Sequence, residues 1–169
     1  MSKEIIYIVS LKKQLKPIES DLINECINQR PAVMRKGDFN FLIDSKHTQY
    51  LYHLFLKESK KLLKMFSLKD KNFKTWCSVS DDKFNITCWH NHIKSSTING
   101  VLYLQLTRKE EGIDFLINQK IQNYLPKPFD LFIFPNYLDH YPRVSKTKEK
   151  RISLNFELQC KEEAINIFN

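Results

Sequence analysis

The chain has 169 residues and a formal net charge of +8, with 42% hydrophobic and 12% aromatic residues. That length suits one compact domain, and the apolar share excludes a wholly disordered chain. No apolar run approaches the ~20 residues of a membrane helix, and the start at Met1 lacks the basic, apolar and cleavage regions of an export signal, so a cytoplasmic protein without a membrane partner is expected.

Residues 4–9 read as a first strand. Pro17 then opens an expected helix to about Arg30, with Ile18, Leu22, Ile23, Cys26 and Ile27 at helical spacing. Pro31 and Gly37 interrupt the pattern. A second helix is predicted from Ser45, as its N-cap, to Phe66. Its apolar stripe would be Tyr50, Leu51, Leu54, Phe55, Leu62, Leu63 and Phe66, with lysines at 57, 60, 61 and 64 largely on the other side. From residue 73 the period changes to two. Strands are expected over 73–79 and 84–92, then 101–106 after an Asn99-Gly100 turn. Three more follow: 113–117 after a turn at 109–112, 130–134, and 151–158. The last alternates cleanly, with Ile152, Leu154, Phe156 and Leu158 on one face and Arg151, Ser153, Asn155 and Glu157 on the other. The result is one domain over 1–169: a helical front at about 15–68 and a β-rich back at about 73–160, of barrel or sandwich type.

Only three glycines occur, so a P-loop or dinucleotide fingerprint is disfavoured. The four cysteines, Cys26, Cys77, Cys88 and Cys160, form no C-x-x-C pair and are expected as reduced, buried thiols.

His90 and His92 are two apart in a segment read as a strand, where i and i+2 share a face, so both imidazoles can address one centre. Alone, this pair is a weak metal signal. His140 follows 48 residues later, then Arg151 and Ser153. A guanidinium with a neighbouring hydroxyl suits a carboxylate ligand, although a surface ion pair of Arg151 with Glu149 or Glu157 is the plainer reading. The ordered set is more specific than its parts. His47 and His53 fall on the second helix and read as structural or exposed. Trp89 reads as core more than as pocket wall.

At these residues the sequence resembles a known family. Trp89-His90-Asn91-His92, the stretch Asn99–Leu104, Leu131–Pro135, His140 and Arg151–Phe156 look like the iron(II)- and 2-oxoglutarate-dependent oxygenases, and most of all a small branch in marine bacteria and their phages. The likeness spans about 76–158. It implies a double-stranded β-helix, a cupin-like jelly roll packed against two or so helices. It further implies a hydroxylase that uses dioxygen and turns 2-oxoglutarate into succinate and carbon dioxide. By the same likeness His90, His92 and His140 match the metal ligands and catalytic centre, and Arg151 and Ser153 match the grip on the far carboxylate of 2-oxoglutarate. Tyr103 lies within reach of that cosubstrate, and Leu104, Phe115 and Phe132 are candidate pocket walls, although core packing is the plainer reading of each. The primary substrate is unnamed, a protein prolyl residue being the candidate, and the cell would be bacterial or phage-infected.

The departure is at position 92, where most members carry a carboxylate. Three neutral imidazoles leave the centre one unit more positive, and Asp81, Asp82 or Asp114 would have to supply a carboxylate from elsewhere. Two other readings stand beside the oxygenase. One is a three-histidine cupin-type metal protein that does not use 2-oxoglutarate. The other is a basic, non-catalytic jelly roll binding nucleic acid or a protein, since Arg143, Lys146, Lys148, Lys150 and Arg151 put five cations into nine positions. That basic stretch is also placed to form a mobile lip over the site.

Overall fold

A computed structural model describes residues 6–29, 41–42, 47–62, 72–83, 88–108, 111–143 and 145–159. Among these residues, nine strands and three α-helices lie in this order: β1 (Tyr7–Ser10), α1 (Lys12–Leu15), a 3₁₀ turn (Lys16–Ile18), α2 (Glu19–Gln29), β2 (Phe41–Leu42), α3 (Thr48–Leu62), β3 (Asn72–Ser80), β4 (Ile98–Gln105), β5 (Ile113–Ile117), β6 (Lys120–Tyr124), β7 (Asp130–Pro135), β8 (His140–Pro142) and β9 (Arg151–Gln159). The larger sheet runs β1-β7-β4-β9-β3-β2 and the smaller β6-β5-β8, with every pairing antiparallel. The architecture is a jelly roll with a helical front, as expected from the sequence.

The core divides at the larger sheet. On its helical side, Leu11, Leu15, Leu22 and Cys26 and the α3 residues Leu51, Leu54 and Phe55 pack against Cys77, Ile98, Leu102, Leu104, Ile152, Leu154, Phe156 and Leu158. The Phe55 and Phe156 rings stack at 4.6 Å. Between the sheets lies a second cluster of Ile6, Val101, Tyr103, Ile113, Phe115, Phe132, Phe134 and Leu138. The two-residue period of each central strand divides its side chains between these two environments.

Several expected elements are placed differently. The first helical run starts at Lys12, and Pro17 sits in the 3₁₀ turn, which has no backbone donor to lose there. Tyr50 is 41% exposed, with its hydroxyl donating to the Gln14 carbonyl, so it leaves the apolar stripe of α3. The expected helix ends, Ser45 as N-cap and the apolar residues Leu63 and Phe66, lie outside the described residues, as does Cys160.

Asn99-Gly100 is no turn. It lies inside β4, where a Cβ on Gly100 would sit 1.9 Å from the Phe156 ring. The glycine is there for close packing, a role that a strand glycine shares with turn glycines in sequence. The unanticipated β6 follows a tight hairpin in which Asn118 and Gln119 both take positive φ, 50° and 62°. Such turns favour Asn-Gly, and glutamine at the second position conceals this one. No helix among the described residues is long and apolar enough to cross a membrane.

Candidate functional site

The three histidines singled out in the sequence converge. His90 and His140 exchange backbone hydrogen bonds, His90 N–H to the His140 carbonyl at 3.1 Å and His140 N–H to the His90 carbonyl at 2.9 Å. Beyond this isolated bridge, residues 88–92 are not a strand, which corrects the expected strand over 84–92; residues 84–87 lie outside the described ones. His92 reaches the centre from a loop, its N–H donating to the Asn136 carbonyl at 2.8 Å and its own carbonyl accepting from the N–H groups of Ser95 and Ser96. The ring centroids lie 4.2 Å (His90–His140), 5.2 Å (His92–His140) and 5.3 Å (His90–His92) apart. One ligand atom from each ring falls within 4.8 Å of the others, a span that one ion can bridge after small side-chain rotations.

The donor chemistry fits a metal. Each Nδ1 faces an oxygen that can only accept: the Cys88 carbonyl for His90 at 3.2 Å, the Leu138 carbonyl for His140 at 3.0 Å, and Glu157 Oε1 for His92 at 2.8 Å. Each Nδ1 therefore carries a hydrogen, and a neutral ring keeps its lone pair on Nε2 for a ligand. Burial, then the neighbouring His90, push the His140 imidazole down to about 3, and burial likewise lowers His90. His140 and His90 are thus neutral at ordinary pH, the form that binds metals. His140 sits on apolar walls, 4.9 Å from Phe134 and 6.0 Å from Phe115 by ring centroid.

Farther along the same inner face lies an arginine without an acid. Arg151 is 4% exposed, and no carboxylate pairs with it among the described residues. One guanidinium nitrogen donates to the Arg143 carbonyl at 2.8 Å, while its Nε is buried without a partner among the described residues. The guanidinium rests 5.5 Å from the centre of the Tyr103 ring, and the buried Tyr103 hydroxyl has no partner of good hydrogen-bond geometry among the described residues. Burial raises the Tyr103 phenol, and the Arg151 charge pulls it partly back. Ser153 stands across from Tyr103, next to a β-bulge that shifts the register between Tyr103 and Gln105. A buried, unpaired cation is costly unless a ligand supplies the anion. Tyr103, Arg151 and Ser153 thus gather a buried cation and two hydroxyls, a set whose chemistry suits a carboxylate. It lies roughly 13 Å along β9 from the level of Glu157, four residues away at about 3.3 Å each.

Asp114 is occupied elsewhere, accepting from Arg143 Nε and Asn123 Nδ2, both at 2.8 Å. Asp81 caps the Lys83 N–H. Neither these two nor Asp82 joins the histidine cluster. The carboxylate that does reach it is Glu157, missed as a site residue because its strand face reads as solvent. It is 7% exposed and accepts from both His92 and Ser95 Oγ at 2.8 Å. Burial alone would raise its carboxyl, but the hydrogen bonds from His92 and Ser95 outweigh that and hold it below the usual value.

Phe115 and Phe132 are packed in the core cluster between the sheets, whereas Leu104 packs on the helical side. Trp89 is 42% exposed and rests against Tyr141, so it is rim rather than core. Cys88 is exposed, contrary to expectation, while Cys26 and Cys77 are buried free thiols. His47 bonds to Asp21 at 3.4 Å, and His53 is exposed beside Tyr52.

Described residues of the basic stretch are hydrogen-bonded to their surroundings at several points. Ser145 Oγ donates to Glu111 Oε1 at 2.6 Å, Thr147 Oγ1 meets Thr107 Oγ1 at 2.8 Å, the Thr147 carbonyl accepts from Asp82 N–H, and the Lys150 carbonyl accepts from Gln105 Nε2 at 2.7 Å.

No family model matches the chain, and no curated protein does. Solved structures do. A Pseudomonas putida prolyl-4-hydroxylase superposes with a TM-score of 0.70 at 14% identity, covering 93% of each chain. A prolyl hydroxylase from Trichoplax adhaerens, in complex with a hypoxia inducible factor oxygen degradation domain peptide fragment, gives 0.67 at 10% identity over 99% of this chain and 88% of that one. The viral collagen prolyl hydroxylase of Paramecium Bursaria Chlorella virus-1 gives 0.60 at 14% identity over 94% and 91%. The chain has the fold of these hydroxylases, in line with the oxygenase likeness of its sequence. None of the three bears on the marine bacterial and phage branch.

Proposed function

We propose that the protein is an iron(II)- and 2-oxoglutarate-dependent oxygenase that hydroxylates a C–H bond of a separate substrate. One observation carries this reading: a three-histidine cluster and a buried arginine without an acid share one inner face of a jelly roll. In this reading His90, His92 and His140 hold the metal through their Nε2 atoms. Arg151, helped by the hydroxyls of Ser153 and Tyr103, takes the far carboxylate of 2-oxoglutarate. Iron(II), when bound, supplies the activation of dioxygen that couples 2-oxoglutarate decarboxylation to substrate oxidation.

The chain's own contribution is positional. Arg151 neutralises and orients one end of the dicarboxylate, so its other end is directed toward the histidines. Phe115, Phe132 and Phe134 keep water from that path. The Cys88 and Leu138 carbonyls and Glu157 hold each Nδ1–H, which leaves Nε2 of each ring as the nitrogen with a lone pair for the metal. For the primary substrate we favour a peptidyl proline. The prolyl hydroxylase likenesses support it, one of them bound to a peptide, as does the half-exposed Trp89 beside Tyr141 at the rim. A cytoplasmic setting and a single domain spanning the chain belong to the same reading.

The reading is tested by oxygen-dependent succinate release from 2-oxoglutarate by iron-loaded protein, with and without proline-containing peptides. Release that requires iron and is lost in Arg151→Ala supports it. Metal-dependent oxidation of a small thiol without 2-oxoglutarate would instead identify a cupin-type enzyme, the alternative that His92 in place of an acid favours.

A further inference from the structure

We infer that Glu157 is the carboxylate of this metal centre, set one hydrogen bond outside the ligands: it fixes the ring of His92 and supplies the negative charge that His92, in place of an acid, does not. The role presupposes that His90, His92 and His140 hold the metal.

The three histidines are not held alike. His90 and His140 give their Nδ1–H to neutral main-chain carbonyls, two residues before each. His92 gives its own, at 2.8 Å, to a carboxylate 65 residues away. An acceptor with full charge makes the stronger bond and leaves the opposite nitrogen a better donor to a cation. The arrangement is also rigid. Glu157 lies on the central strand β9, flanked in register by Lys74 of β3 and Asn99 of β4. Ser95 Oγ donates to the same carboxylate oxygen as His92, and Ser95 N–H returns to the His92 carbonyl, which closes the loop around the ring.

Burial supplies a second, independent reason. A carboxylate at 7% exposure requires a compensating charge or several donors. Lys74 is exposed on the neighbouring strand, and the close partners of Glu157 are His92 and Ser95. A cation held by the three imidazoles would sit one ring beyond Glu157, so metal and carboxylate satisfy each other through His92. Three neutral imidazoles and one outer carboxylate give the same net charge as two imidazoles and one inner carboxylate. The unit of charge that the H-x-H motif gives up is thereby restored from β9. Glu157 is a positioning residue in this account, since it touches the ligand and not the metal.

Two graded substitutions separate geometry from charge. Glu157→Gln keeps an oxygen to accept the His92 Nδ1–H and removes the charge; Glu157→Ala removes both. Iron(II) affinity would be measured anaerobically by competition with a chelator, with cobalt(II) absorption as a second readout of the ligand field. The expected result is a loss of about 10-fold for Glu157→Gln and about 100-fold for Glu157→Ala, with metal-free proteins that retain wild-type circular dichroism. Ser95→Ala, which leaves the carboxylate in place, should cost less than Glu157→Gln.

In a His92→Asp background the sign should reverse. There Glu157 faces a second carboxylate, and Glu157→Gln should restore affinity rather than lower it. If Glu157→Gln and Glu157→Ala bind metal within twofold of wild type, the role of Glu157 is wrong while the metal centre stands. If wild-type protein binds no divalent ion at all, the metal reading falls and the role of Glu157 falls with it.

Discussion

The two faces of β9 are built from alternate residues of one nine-residue strand and lead opposite lives. Ile152, Leu154, Phe156 and Leu158 enter the apolar core beneath the helices, while Arg151, Ser153 and Glu157 are buried polar groups on the inner face between the sheets. The first face is satisfied by packing alone. The second is not: the Nε of Arg151 has no partner among the described residues, and Glu157 leans on a histidine. A folded chain retains buried, incompletely satisfied polar groups at a cost in stability, and such groups are where a ligand is expected. One face of β9 therefore holds the protein together, and the other carries the polar groups of the candidate site.

Substitutions on the two faces should separate these roles. The largest effect is expected from Phe156→Ala, which removes the ring stacked on Phe55 and seated over Gly100. It should cost about 3–5 kcal/mol in denaturant unfolding, with metal affinity of the folded fraction unchanged. A loss of metal affinity in the folded fraction would mean the faces are not independent.

Next comes pH. His140 is held near 3 in the folded chain against an ordinary 6.5, so the unfolded chain takes up the proton first as pH falls. The stability that this neutral ring contributes is complete above about pH 6.5 and is lost progressively toward pH 3, by several kcal/mol in all. Thermal melts of metal-free protein from pH 7 to pH 4 should fall accordingly, and the slope should flatten in His140→Phe.

Arg151→Met should reverse the pattern of Phe156→Ala. It removes an unpaired buried charge, so stability should hold or rise, while 2-oxoglutarate affinity falls about 10- to 100-fold, as loss of a charge-assisted contact implies. Calorimetry of the metal-loaded protein measures this. The smallest effect is expected from Ser153→Ala, a loss of about 2- to 10-fold in the same titration, corresponding to one hydroxyl hydrogen bond.

How far the sequence discloses this division depends on what alternation can encode. The two-residue period of β9 separates its faces correctly, and the order His90, His92, His140, Arg151 points to the candidate site from the sequence alone. Alternation cannot tell water from a polar interior, however, because both call for hydrophilic residues. Glu157 is hidden for that reason: it reads as a solvent-facing acid until the loop carrying His92 and Ser95 covers it.

Gly100 is hidden for a different one. Glycine serves a turn through its dihedral freedom and a packed strand through its missing Cβ, and only the position of Phe156 shows which applies. Trp89 and Leu104 show the limit for apolar side chains. Their hydrophobicity leaves open where they pack: Trp89 lies at the rim and Leu104 under the helices.

The most direct test of the account is a calorimetric titration of 2-oxoglutarate into iron(II)-loaded protein without oxygen, repeated on metal-free protein and on Arg151→Met. The account predicts binding that needs the metal and is weakened at least tenfold by loss of the guanidinium. Absence of binding by the metal-loaded wild type, or binding indifferent to both metal and Arg151, would contradict it.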